Sequence, residues 1–243
     1  MPELAFISQV VNGFRALLDN ADTVFSSPRG AALVELILTT LSPVTHFLGS
    51  WLIACGTTDN ARDRKLVTLA GVLPDVDGLG LVVDVAQSLI TGKECTYRYY
   101  QTYHHLLAHG WLGALLISAV LACFARSRLR VLLICIAVYH LHFVCDLLGS
   151  RGPDPADLWP ICYNEPLFRH PVIFWKHQWR LDGWQNRVIT VTLFLTELWF
   201  CAKRGYSCVE VFSPKADRKF IEIIRKWRGL LTPVAPAKTA MDQ

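Results

Sequence analysis

The chain has 243 residues, 52% of them hydrophobic and 18% charged, with a formal net charge of +4 at pH 7. Soluble domains carry about 25% charged residues, so a mean hydropathy of +0.32 points to lipid or to an unusually buried helical core. The mild positive excess suits a membrane surface or a phosphate-bearing ligand, and the lack of any Lys/Arg block resembling a nucleic-acid arm argues against a nucleic-acid partner.

Residues 1–20 do not read as a signal peptide, because a basic start, an apolar run and a small-residue cleavage site are missing. Phe6, Val10, Val11, Phe14, Leu17 and Leu18 recur at helical spacing, which predicts an amphipathic helix within an N-terminal segment 1–30. Residues 31–41 are helical in pattern. Ser42-Pro43 reads as an N-cap followed by proline at the first helical position. A separate helix is therefore predicted from Pro43 to Cys55, stopped by Gly56, and another over residues 61–73, stopped by Pro74. Each would be about 20 Å long at 1.5 Å per residue, short of the roughly 30 Å hydrocarbon core of a bilayer.

Two longer apolar runs follow, 106–125 and 129–148, separated by Arg126, Ser127 and Arg128. Both approach the roughly 20 residues that a span needs, so they predict an antiparallel hairpin with an arginine-rich tip. Residues 149–187 are irregular, with five prolines and the aromatics Trp159, Tyr163, Phe168, Phe174, Trp175, Trp179 and Trp184. A loop this long is expected to be functional or disordered, and its aromatic content argues for an ordered lid or an interfacial belt. The run 188–202 is short for a span and ends in Lys203 and Arg204. The segment 205–243 holds a basic amphipathic helix, 216–231, and a Pro/Ala-rich tail expected to be disordered. The predicted fold is all-α: a membrane-associated helical bundle of two antiparallel hairpins plus flanking helices, with the site-bearing region over 31–204. The eight cysteines include no CxxC pair, and several sit in apolar runs as small hydrophobes. A disulfide framework is not expected.

His142 and Asp146 are four residues apart on a predicted helix and share a face. An imidazole and a carboxylate on adjacent turns can grip one divalent ion. The alternative is a polar pair satisfied within the bundle, but ionisable groups in apolar helices are costly and favour a functional reading. His109 lies 18 residues before the tip at Ser127, and His142 and Asp146 lie 15 and 19 after it. In an antiparallel hairpin these counts bring all three to one level. His46 and Asp75 lie 14 and 15 residues from a tip near Asn60, so they are level too. Asp75-Val76-Asp77 places two carboxylates in one turn, although Asp-rich turns also arise without a ligand. His104 reaches the site if its helix starts after it, and His105 shares a face with His109. His140 points elsewhere, and His170 and His177 are loop histidines. Cys145 points about 100° from Asp146 and is filler. Neither a phosphate-binding glycine loop, a GxSxG elbow nor an HExxH pair is present.

The ordered set Thr45-His46, Leu73-Pro74-Asp75-Val76-Asp77, His104 to His109, His142-Phe143-Val144-Cys145-Asp146 and Leu158-Trp159-Pro160-Ile161 resembles the YdjM family. The resemblance covers about residues 43–161 and implies a membrane-bound, metal-dependent hydrolase. The family's third motif reads histidine-arginine-glycine, a variable residue, then threonine-histidine-serine. Here His104 and His109 match its histidines, whereas His105 replaces the arginine, and the threonine and serine are lost. A role for that arginine in gripping an anion is therefore in doubt for this chain. The ligand types are also similar to those of the zinc phospholipase C and single-strand nuclease group, an analogy that transfers no residue.

These readings predict a divalent-metal site, zinc foremost with manganese or magnesium as alternatives, built from His46, Asp75, Asp77, His104, His109, His142 and Asp146. Seven donors suit two ions, and Asp77 or His105 would accept a proton. The expected activity is hydrolysis of a phosphoester or other amphiphilic ester, in contact with membrane lipid, at a membrane that is the inner or plasma membrane if the source is bacterial. The competing expectation is a membrane scaffold or regulator with a structural metal. A transport pathway fits less well, because few helices are long enough to span.

Overall fold

A computed structural model describes residues 28–104, 108–168 and 170–227, with side chains in the first helix from residue 43 onward. The predicted N-terminal amphipathic helix, His105 and the C-terminal tail lie outside the described residues. Eight α-helices are described: α1 Pro28–Thr57, α2 Ala61–Ala70, α3 Gly80–Thr91, α4 Arg98–Tyr103, α5 Trp111–Cys123, α6 Arg128–Gly149, α7 Trp184–Arg204 and α8 Pro214–Trp227. The β-structure among them is one antiparallel pair, β1 Ile161–Cys162 with β2 Val172–Ile173. The protein is all-α, as predicted.

Several boundaries differ from the sequence expectation. Ser42-Pro43 does not start a helix: α1 runs through Pro43 for 30 residues, about 45 Å. An interior proline removes one helical hydrogen bond and costs about 3 kcal/mol, a cost that packing of the following turns opposes. Leu48, Trp51, Ala54 and Cys55 are all buried on the neighbouring helices. The second predicted helix ends earlier, at Ala70 with Gly71 as C-cap. Pro74 then opens a 3-10 segment, Leu73–Leu79, that leads into α3.

The run 106–125 is not one long helix. Its helical part, α5, begins at Trp111 and has 13 residues, about 20 Å. The hairpin therefore has one arm shorter than a bilayer and one, α6, of 22 residues, about 33 Å. α6 is long and apolar enough to cross a membrane; α2 together with 73–91 passes the same test as a pair bent by 49°. α7 is longer than the apolar run 188–202 implied, with 21 residues.

The two hairpins, α1–α2 and α5–α6, pack through a shared core of Ala54, Val67, Ala70, Leu121, Val131, Cys135 and Val138. Their tips are pinned together by polar groups. Asp63, next to the Asn60 cap of α2, accepts hydrogen bonds from the backbone N–H of Arg126 (2.8 Å) and Ser127 (3.2 Å). Nearby, buried Arg64 forms a two-pronged ion pair with Glu210 (2.6 and 2.9 Å) and lies over the Tyr206 ring. With the tips fixed, antiparallel geometry sets the height of everything at the opposite end. Trp51, Cys55, Cys201 and Ile221 form a second core that seats α7 and α8 against α1.

Candidate metal centre

The end opposite the tips is where the predicted donors meet. α1 supplies His46, the 3-10 segment Asp75 and Asp77, the connection before α5 His104 and His109, and α6 His142 and Asp146. His109 is therefore not on the helix that the hairpin count assumed; it is two residues ahead of α5, at the expected level. His46, His109, His142 and Asp146 are buried.

One group of four donors is compact. Asp75, His109, His142 and Asp146 each offer one ligand atom, and these atoms all lie within 4.8 Å of one another. His142 Nε2 lies 3.0 Å from Asp146 Oδ2 and 3.5 Å from Asp75 Oδ1. His109 Nε2 lies 3.5 Å from the same Asp146 oxygen. Ligands 2.0–2.1 Å from a tetrahedral zinc ion are about 3.3 Å apart, so these three separations match tetrahedron edges.

The remaining atoms of His142, His109 and Asp146 are held from behind. His142 Nδ1 donates to the Gly71 carbonyl at 2.9 Å, which leaves Nε2 as the nitrogen available to a ligand. That nitrogen is buried, faces two carboxylates, and makes no hydrogen bond of acceptable geometry. Asp75 Oδ2 is likewise buried without a hydrogen-bond partner. A lone pair aimed at carboxylate oxygens is repulsive unless a proton or cation lies between them, so the donor set fits a divalent ion. His109 Nδ1 is 3.1 Å from Asp77. Asp146 Oδ1 is 3.2 Å from His46 Nε2 and accepts a weaker hydrogen bond from Ser150. Histidine ligands backed by a carbonyl or a carboxylate are the usual support of metal sites. Burial opposes charging of His109, but the carboxylates of Asp146 and Asp77 outweigh it and raise its pKa to about 9.

Asp77 and His104 form the next layer. Asp77 Oδ1 is 2.8 Å from His104 Nδ1, while Oδ2 takes His109 Nδ1 and the Ala108 N–H (3.3 Å). Asp77, His104 and His109 form a second potential metal group, but it shares His109 with the first. The His104 ring sits between Tyr100 and Trp159, at centroid distances of 4.5 and 5.3 Å. His46 stacks on His142 at 3.9 Å.

Other side chains position these. Asp84 accepts from the N–H groups of Tyr99 and Tyr100 (3.1 and 2.8 Å), fixing the start of the segment that carries His104. Gly71 allows α2 to end directly on α1, since a Cβ there would overlap Ser50. The aromatic loop does fold over this end: Gln178 clamps Trp159 through both backbone groups, and the Trp179 N–H donates to the Leu148 carbonyl (3.0 Å). His140 is structural, bonding the Ile136 carbonyl and Tyr163 Oη at 2.8 Å each. His170 and His177 are exposed. The roles of Gly71 and Asp84 escape sequence reasoning, because a backbone carbonyl and a helix-terminal brace carry no residue-type signature of metal support.

A cavity of about 270 Å³ adjoins the cluster, with His46 and Asp146 in its wall. The rest of its lining comes from the C-terminal end of α6, the N-terminal end of α7 and Thr45 of α1.

An all-helical bundle with four convergent His/Asp donors at one end is thus the class that fold and site define. The family described as YdjM inner membrane protein matches residues 31–209, more than half of the chain, and the protein belongs to that family. No curated protein and no solved structure matches the chain.

Proposed function

We propose that this protein is a membrane-embedded, metal-dependent hydrolase acting on a phosphoester or related amphiphilic ester. The observation that carries the reading is His142 Nε2, a buried ring nitrogen held between two carboxylates at tetrahedral spacing. His142, His109, Asp146 and Asp75 would hold the ion, with zinc the best match to this ligand set. The bound ion would supply an acidified water and charge neutralisation at the ester oxygens.

The residues divide the remaining work. Asp77 orients the rings of His109 and His104, since both of its oxygens are engaged by them and by the Ala108 N–H. This favours one ion over two, because a proton on His109 Nδ1 shared with Asp77 leaves only Nε2 to coordinate. His46 is the ionisable group shared by the cluster support and the adjoining cavity, and proton transfer is assigned to it. Trp159 and Tyr100 shield the outer side of His104.

Membrane placement is supported by the apolar side chains that the bundle leaves outside. Leu115, Leu116 and Val120 of α5, Leu133 and Val144 of α6, and Phe194 and Leu195 of α7 are exposed. Only 39% of the most apolar window of α6 is buried. In water such a surface would drive association.

A second reading, a scaffold with a structural metal, is favoured by the count of four protein donors, which is typical of closed sites. The cavity against His46 and Asp146 favours the hydrolase. The test is metal analysis and phosphoester hydrolysis of detergent-purified wild type, His142→Ala and Asp146→Ala. Loss of both metal and activity in the variants is expected. Full activity in a metal-free variant overturns the hydrolase, and bound metal with no hydrolysis of any phosphoester favours the scaffold.

A further inference from the structure

The wall of the cavity beside the cluster holds an arginine with no carboxylate partner among the described residues. Arg187, one turn into α7, lies in its wall and is exposed. Asp182 shares that wall, but its carboxylate is taken by Arg180 in a two-pronged pair at 2.7 and 2.8 Å. No carboxylate among the described residues pairs with Arg187.

The wall that presents Arg187 is rigid. Asn186 Nδ2 donates to the Gly149 and Leu181 carbonyls (2.8 Å each), and its Oδ1 accepts from Trp179 Nε1 at 2.7 Å. These bonds tie the start of α7 to the end of α6, three residues beyond Asp146. Thr45 and Thr190 share a hydrogen bond across the same cavity.

Arg187 also stands at the head of an apolar lane. Thr190, Val191, Phe194 and Leu195 follow it at helical i+3, i+4, i+7 and i+8 spacing, so they share its face. Val191, Phe194 and Leu195 are exposed large hydrophobics. The cavity lining thus runs from the ionisable His46 and Asp146 to Val191, and Phe194 and Leu195 continue the same helix face beyond it.

We infer that this cavity binds a phosphate ester carrying a long alkyl chain, with Arg187 taking the phosphate oxygens on the side away from the metal cluster and the chain lying along Val191, Phe194 and Leu195. The inference rests on the hydrolase reading for its purpose, but Arg187 and the lane are independent of the cluster's chemistry. Guanidinium pairs with phosphate in two-pronged geometry. Asp146, also in the cavity lining, repels an anion unless its charge is neutralised, so binding should need metal.

The test measures binding of dodecylphosphonate, which is not hydrolysed, and of inorganic phosphate to detergent-purified full-length protein, with Zn²⁺ loaded or removed. Wild type should bind dodecylphosphonate in the Zn²⁺ form, and inorganic phosphate more weakly. Arg187→Gln should weaken both by about tenfold, the scale of one charged hydrogen-bonded contact, at unchanged zinc stoichiometry. Arg187→Lys should recover part of the loss. Val191→Asp should weaken dodecylphosphonate alone. Wild-type affinity in Arg187→Gln overturns the subsite even if hydrolysis is found. Equal affinity for inorganic phosphate and dodecylphosphonate overturns the apolar lane. Arg187-dependent binding without hydrolysis of any ester retains the subsite and removes the hydrolase.

Discussion

Replacing Asp77 with asparagine separates one-ion from two-ion readings of the cluster. Asp77 receives three N–H or ring-nitrogen contacts, from His104 at 2.8 Å, His109 at 3.1 Å and Ala108 at 3.3 Å. Asparagine keeps the shape but turns one oxygen into an NH2 group, which must face a donor on one side. His109 then loses either its orientation or the tautomer that presents Nε2 to the ion. Removal of such a carboxylate support lowers metal affinity by about 10–100-fold, equivalent to about 1.4–2.8 kcal/mol. Metal content by elemental analysis and competition against a chromophoric chelator would read both quantities. The expected result is one ion per chain in wild type and variant, with weaker affinity in Asp77→Asn. A fall from two ions to one would refute the reasoning and make Asp77 a direct ligand. Unchanged affinity would remove it from the site's support altogether.

Metal uptake at pH 7 should release protons, because His109, with a pKa of about 9 in the metal-free site, must give up its Nε2 proton to coordinate. Affinity should accordingly climb as pH rises toward 9, and calorimetry in buffers of different ionisation enthalpy counts the protons. Gly71→Ala should destabilise the protein by about 1–3 kcal/mol, the usual cost of overpacking, because the new methyl meets Ser50; Ser50→Gly in the same chain should restore most of the loss in a thermal melt. Glu210→Gln should cost about 3–5 kcal/mol by leaving Arg64 buried without its partner. Its affinity for metal, measured below the melting transition, should stay near wild type, since the pair sits at the opposite end of the bundle.

Much of this site is legible in the sequence because two simple counts suffice. Equal spacing from two hairpin tips predicts which donors are level, and Asp63 and the Arg64–Glu210 pair fix the tips so that the counts apply. The count succeeded for His109 although the helix it assumed begins only at Trp111, since two extra residues of loop cover nearly the same height. Helix boundaries were less legible. Pro43 looks locally like a helix start, and only packing of the turns after it shows that α1 continues. α3 begins at Gly80 with no side-chain cap, so no start signal marks it. The division between ligands and their supports was also hidden, because it depends on which ring nitrogen faces a carbonyl, as at His142 and Gly71. Arg187 carries no motif, and becomes visible only when α7 is placed beside the end of α6.

The donors come from far apart in the chain: His46 and its partner Asp146 are separated by 100 residues. Closing so long a loop is entropically costly and slow relative to forming a local turn. The four-ligand pocket therefore cannot exist while either hairpin is still emerging or is seated in the wrong register. An ion that binds only the finished arrangement adds its binding free energy to that arrangement alone, which makes the centre a late checkpoint of assembly. Starved of metal, such a chain would be expected to complete each hairpin and yet remain open to proteolysis where they should join.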